Sequence, residues 1–234
     1  MSSEPVPAAG AGSGPDDQSA AAVGLVGGTG PLGRGLAVRF AGAGQRVLLG
    51  SRDAGRAADV AATLSQPGRD VVGVTNAQAA GAAVVFVTLP YAAQRGTLPP
   101  LAARVAGKVV VSCANPLAFD DGGPRPLRVE AGSAAQECAR LLPGARVVGA
   151  FQHVPAARLR RVDEPLVCDV LLTGDDGDAK AVVAALAELI PGVRALDAGP
   201  LRLTGAVEDM TAVLLSVNIR YSAHTGLRLE GVAR

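Results

Sequence analysis

Six residues constrain this chain more than any others. Gly28-Thr-Gly-Pro-Leu-Gly33 follows directly on the apolar run Val23-Gly-Leu-Val26, and Leu32, Leu36 and Phe40 then recur at i, i+4 and i+8. That order predicts a buried strand, a glycine turn and a helix with one apolar face. The pattern G-x-G-x-x-G says little by itself in a chain with 30 glycines. Between a strand and a helix it describes the first βα turn of a dinucleotide-binding unit. Glycines there let the backbone turn tightly, bring N–H groups up to a pyrophosphate and let helix pack on strand. The helix N-terminus adds its partial positive charge. Pro31 suits the first helical turn, where donors lack intrahelical partners anyway.

The following residues repeat the rhythm. A second strand is expected over residues 46–49, then a helix with Ala57, Val60, Ala61 and Leu64 on one face, then strands over 71–74, 84–87 and 109–112. Short apolar strands alternating with helices imply an α/β fold, a doubly wound parallel sheet covered on both faces. The expected division is a tail without periodicity over residues 1–20, a nucleotide-binding domain over 21–150, and a smaller C-terminal α/β domain over 151–234. Beyond Ser112 the chain reads as loop-rich through Pro126. Strands are then expected over 146–150, 167–172 and 194–197, with helices over 133–141 and 179–189. A long terminal helix over 206–221 carries Val207, Met210, Leu214, Val217 and Tyr221 at spacings of three and four. Glu208 and Asp209 are expected in its first turn and Arg220 in its last, the signs that complement the helix dipole. Val213, Leu215 and Ile219 exceed what one core-facing stripe needs, so a second surface is expected to cover them.

The second strand ends Leu49-Gly-Ser-Arg52, with Arg56 one helical turn further on. An NAD-specific site would place an acid here to accept bonds from the ribose 2′-hydroxyl. A hydroxyl and guanidinium groups suit a 2′-phosphate instead, through charge-assisted and often bidentate bonds. The expected cofactor is therefore NADP(H). Asp53 is read as the cap of the following helix and not as the ribose acid.

Taken together, Gly27-Gly-Thr-Gly-Pro-Leu-Gly-Arg-Gly35 and Leu49-Gly-Ser-Arg52 resemble the NADPH-dependent reductases of the deazaflavin coenzyme F420, the F420:NADP oxidoreductases. The likeness continues in Ser133-Ala-Ala135, His153-Val-Pro-Ala-Ala-Arg158 and Leu196-Asp-Ala-Gly-Pro-Leu201, and spans residues 22–230. It implies a Rossmann-type domain, a small C-terminal domain, a homodimer, and direct hydride transfer between nicotinamide C4 and deazaflavin C5. By the same resemblance Gly28, Thr29, Gly30, Pro31, Leu32 and Gly33 hold the pyrophosphate turn, while Ser51, Arg52 and Arg56 hold the 2′-phosphate. Leu89 and Tyr91 would border the path from adenine to nicotinamide. Val154, Pro155 and Ala156 would line the cleft where the two ring systems meet, with coenzyme F420 as co-substrate; His153 borders it, and reads either as a hydrogen-bond partner of the deazaflavin or as a structural histidine.

Composition narrows the alternatives. With 22 basic and 21 acidic residues the net charge is +1, and aromatics are 3% with no Trp. Neither nucleic acid nor an anionic membrane is an expected partner. The uncharged stretch 71–94 is interrupted by Thr75, Asn76, Gln78 and Pro90, and it is not read as a span. Cys113, Cys138 and Cys168 form no CxxC pair, and they read as reduced core thiols of a cytoplasmic protein. His153 and His224 lack a ligand-spaced partner, so no metal site is expected. No catalytic side chain is required, since two cofactors can supply the redox chemistry. Two other readings stay open at this point. One is an NADPH-dependent reductase of an imine, ketone or metal chelate, with Tyr91 or His153 as proton donor. The other is a non-catalytic NADP(H) sensor.

Overall fold

The computed structural model describes residues 22–232; the expected tail over residues 1–20 lies outside them. The first half alternates as its apolar pattern requires. Strand β1 (Val23–Val26) leads through the glycine turn into α1 (Pro31–Gly42), then come β2 (Val47–Ser51), α2 (Ala54–Leu64), β3 (Val71–Thr75), a single turn α3 (Asn76–Ala79) and β4 (Val84–Val87). A series of short helical turns between Tyr91 and Val105 replaces a full helix before β5 (Val109–Ser112). Pro90, Pro99 and Pro100 break that stretch into pieces.

The second half adds β6 (Leu117–Asp120), β7 (Gly123–Pro126), α4 (Ala134–Leu141), β8 (Arg146–Gly149), α5 (Ala156–Leu159), β9 (Cys168–Gly174), α6 (Gly177–Glu188), β10 (Val193–Asp197) and α7 (Thr204–Tyr221). The hairpin β6–β7 falls in the stretch read as loop. Its two-residue turn is Asp121-Gly122, with Asp120 paired to Gly123. Asp-Gly is a hairpin signal in its own right, here flanked by Pro116, Pro124 and Pro126.

Eight strands form one sheet in the order β3-β2-β1-β4-β5-β8-β9-β10. The first six are parallel, in the Rossmann arrangement. Strand order reverses between β1 and β4, so a crevice opens outside their carboxyl ends. The last two strands depart from a wholly parallel sheet, because β9 runs antiparallel to β8 while β10 is parallel to β9. The β8–β9 junction consists of two residue pairs, Val148 with Gly174 and Gly149 with Thr173. Residues 168–172 therefore project past the carboxyl edge of β8, by roughly 16 Å at the usual rise per residue. The β9–α6–β10 unit thus extends the sheet at the edge beyond β8.

Both sheet faces are covered, which is why these strands are apolar without alternation. Leu25 shares one core layer with Leu36 and Phe40, and Val26 shares the other with Leu98 and Val110. Phe40, Phe86 and Phe151 pack as a cluster with ring centroids 5.2 to 6.5 Å apart. Arg39 of α1 is buried and sends its guanidinium to five backbone carbonyls, those of Arg158, Leu159, Arg161, Val162 and Glu164. It holds the segment after α5 against α1. Burial lowers its pKa, partly offset by Asp163 and Glu164.

The terminal helix begins at Thr204, earlier than its pattern suggests, so Glu208 is not in its first turn. The inward stripe is largely polar: Thr204, Glu208 and Thr211 are buried beside Val207 and Ala212, while Val213, Ile219 and Tyr221 are exposed. Among the described residues no helix is long and apolar enough to cross a membrane.

Candidate active site

The crevice at the strand-order reversal is a cleft of about 500 Å³. Thr29, Gly30, Pro31 and Leu32 form its floor, Ser51, Arg52 and Arg56 one end, and Leu89 and Tyr91 the opposite side. Gly27 takes φ +76, a left-handed conformation that admits glycine freely, and its N–H donates to Asn76 Oδ1 at 3.0 Å. Gly28 and Gly33 do not line the cleft. The Gly28 N–H is directed to the Leu25 and Gly50 carbonyls, and a Cβ on Gly33 would fall 2.4 Å from the Gly28 carbonyl oxygen. These two glycines let α1 approach β1, so their part in the turn is packing.

Helix α1 has Pro31 in its first turn and no side-chain cap. Its leading N–H groups therefore present an anion site to the cleft. Arg34 Nε braces the turn by donating to the Thr29 carbonyl at 2.8 Å. At the end of β2, Asp53 caps α2 by accepting from the Arg56 N–H, and the Ser51 hydroxyl accepts from the Asp53 N–H. The acid is thus occupied by the helix, and Arg52 and Arg56 remain exposed on the cleft. No salt bridge among the described residues engages either guanidinium. The residues present fit a phosphorylated ribose.

Tyr91 is held from behind. Its hydroxyl donates to Glu137 Oε2 at 2.8 Å, and Arg95 Nε donates to Glu137 Oε1 at 2.6 Å. Glu137 is buried on α4, and its bond to Arg95 keeps its carboxyl below the usual range. Burial, and then the bond to Glu137, push the Tyr91 phenol up.

A second cavity of about 310 Å³ lies alongside, lined by Val154, Pro155, Ala156, His153, Thr211 and Leu214 among others. Leu32 and Asn115 line both spaces, so the two cavities meet there. Asn115 is fixed at both ends of its amide: Nδ2 donates to the Gln152 carbonyl at 2.7 Å, and Oδ1 accepts from Thr211 at 3.2 Å. Three separate parts of the chain are tied at the junction.

The wall from Gln152 to Pro155 depends on an unusual backbone. Phe151 has φ +66, left-handed for a bulky residue, with its ring in the aromatic cluster. Such a conformation costs on the order of 1–3 kcal/mol and persists where the surroundings over-determine it. It turns the chain sharply after β8. His153 is buried, with Nε2 2.8 Å from the Asp169 carbonyl oxygen. Burial lowers its pKa and keeps the ring neutral, so Nε2–H donates and Nδ1 is a buried acceptor without a protein partner. One nitrogen of His153 belongs to the fold.

Sequence reading thus brought the glycine turn, Ser51, Arg52, Arg56, Leu89 and Tyr91 to one cleft, and Val154 to Ala156 to the next. It missed Asn76, Asn115, Glu137 and Thr211. Asn76 and Asn115, each just past a strand end, carried a positional hint.

The fold and the cleft define a Rossmann-type reductase whose first half is built for a phosphorylated dinucleotide. Residues 22–116 match the family described as NADP oxidoreductase, coenzyme F420-dependent. The chain is 42% identical over 220 residues to the F420-dependent NADP reductase of Methanothermobacter thermautotrophicus, covering 90% of this chain and 95% of that protein. It is 39% identical to the F420-dependent NADP reductase of Methanocaldococcus jannaschii, covering 90% of this chain and 98% of that one. A crystal structure of a candidate F420-dependent NADP reductase from Arthrobacter sp. FB24 superposes with a TM-score of 0.73 at 25% identity, over 90% of this chain and 97% of that one. The chain belongs to the F420-dependent NADP oxidoreductase family.

Proposed function

We propose that this chain transfers a hydride between NADP(H) and coenzyme F420. The observation that carries the reading is the meeting of two cavities at Leu32 and Asn115, with the anion-binding turn and two guanidinium groups in only the first. Both cofactors supply the chemistry when bound: NADPH and a proton reduce the deazaflavin, or the reverse. The protein binds, orients and excludes water. Thr29 to Leu32 would face the pyrophosphate, Ser51, Arg52 and Arg56 the 2′-phosphate, and Leu89 and Tyr91 the dinucleotide between its ends. His153, Val154, Pro155 and Ala156 would border the deazaflavin. On this reading residues 21–150 serve NADP(H), and residues 151–234 complete the deazaflavin side.

A reductase of a ketone or imine would want a proton donor in the second cavity. Tyr91 lines the first cavity and donates its hydrogen bond to Glu137, while His153 Nε2–H is directed to the Asp169 carbonyl. His224 also lines the second cavity, so the likeness to F420-dependent NADP reductases, and not the want of a donor, favours hydride exchange between cofactors. Deuterium on the transferred C4 position of NADPH should arrive at deazaflavin C5. Label entering from solvent would sink the direct route.

The chain also reads as a cytoplasmic homodimer. Val213, Ile219 and Tyr221 on α7 are exposed, as is Phe119 of the hairpin, whose strand β7 packs on that helix. A second copy would cover this face. Three free, buried cysteines suit a reducing compartment.

A further inference from the structure

The carboxylate of Glu208, on α7, accepts the N–H of Ala134 at 2.8 Å and that of Ala135 at 3.1 Å. These are the first two residues of α4. The next two amides of that helix are satisfied by Ser133, Gln136 N–H by its hydroxyl and Glu137 N–H by its carbonyl. All four leading donors of α4 are thereby paired, two of them by a side chain 74 and 73 residues away. Glu208 is buried at 1% exposure, so water cannot stand in for it.

The two helices serve different walls. One and two turns past Glu208, α7 presents Thr211 and Leu214 to the second cavity. One turn past Ala134, α4 presents Glu137, which holds Tyr91 on the first. Thr204, one turn before Glu208, meets the Thr173 hydroxyl at 2.6 Å. The inward stripe of α7 is thus set by directional bonds where an apolar stripe would permit sliding.

We infer that Glu208 is a positioning residue for the deazaflavin wall: by gripping the α4 N-terminus it fixes the register of α7 against the cleft. This rests on the functional reading above and adds to it a residue that touches neither cofactor. The expected signature is a split between the two substrates. Misplacement of a wall by an ångström can cost up to about 100-fold in turnover efficiency.

The test uses the full chain with two variants that attack the same bonds from opposite sides. Glu208→Gln keeps the shape but replaces one acceptor oxygen with a donor. Ala134→Pro deletes one N–H at the first helical position, where proline is tolerated, and Ser133 before it already has extended backbone. In each variant kcat/KM for the deazaflavin should fall about 10- to 100-fold, chiefly through KM. Glu137 keeps its bonds to Tyr91 and Arg95 in both variants, so the Kd for NADPH, titrated separately, should move less than the about fivefold expected for loss of Glu137 itself. The double variant should be no worse than the weaker single one. Unchanged deazaflavin KM in a folded variant, or parallel loss of NADPH affinity, would overturn the inference. So would failure of both variants to fold, since Glu208 would then be purely structural. A wild-type protein that reduces no deazaflavin would overturn the functional reading as well; an active wild type with indifferent variants overturns the positioning role alone.

Discussion

Tyr91, on the rim of the dinucleotide cleft, and Glu137, buried in α4, are joined by a 2.8 Å hydrogen bond across 46 residues of sequence. The rim is therefore held by the helix behind it, and Arg95 closes the same carboxylate from outside. Removing Glu137 strands two donors. Glu137→Ala should weaken NADPH binding about fivefold, the equivalent of about 1 kcal/mol, and Glu137→Gln less. Titration with NADPH checks this. Because Arg95 holds the carboxyl below its ordinary value, the contribution persists above the unfolded carboxylate range and disappears as pH falls through the folded value.

Discrimination between coenzymes should reside in Arg52. Each charge-assisted bond to a 2′-phosphate contributes about 1.5–3 kcal/mol, roughly 10- to 150-fold. Arg52→Ala should raise KM for NADPH within that range and leave NADH nearly unaffected. Equal loss with both coenzymes would remove Arg52 from the phosphate.

Arg39 makes its contribution to stability. Five carbonyls share one buried guanidinium, and Arg39→Ala leaves them with few donors. A loss of about 3 kcal/mol or more is expected in denaturant unfolding. Lysine should recover only part of it, because an ammonium cannot reproduce the planar fork.

Glu208 predicts a pH dependence of stability with an unusual sign. Desolvation pushes its carboxyl up to about 7, against the opposing bonds from Ala134 and Ala135. The folded state then keeps a proton that the unfolded chain releases above about pH 4.5. Its contribution to stability is greatest below that point, declines as pH rises to about 7, and then levels off. The gap in denaturant midpoint between wild type and Glu208→Gln, measured at pH 5 and pH 8, should change accordingly. A constant gap would refute the shift.

The exposed face of α7 offers a direct test of assembly. Ile219→Glu or Val213→Glu places a charge at a residue that is 66% or 62% exposed in the single chain. Either should yield a folded monomer in sedimentation, while wild type sediments as a dimer. A wild-type monomer would leave that face without the second copy proposed for it.

Local pattern was enough for much of this molecule. The strands of the first half, the glycine turn, Pro31 at the helix start and Asp53 as a cap are all written in neighbouring residues, because periodicity, backbone freedom and capping act over a few positions. Ser51 and Arg52 were legible for the same reason, lying at the end of a strand whose position was known. The reversed β9 and the polar inward stripe of α7 were not. Strand direction depends on where the chain returns after Phe151, and its left-handed turn has no glycine to announce it. Glu208 looked like the acid of its own helix, since sequence shows charge but not direction; in the folded chain it serves the N-terminus of another. Asn115, Gln152 and Thr211 are ordinary polar residues until three distant segments place them at one junction. Tertiary structure decided those pairings, because a buried donor or acceptor takes whatever partner the packing brings within about 3 Å.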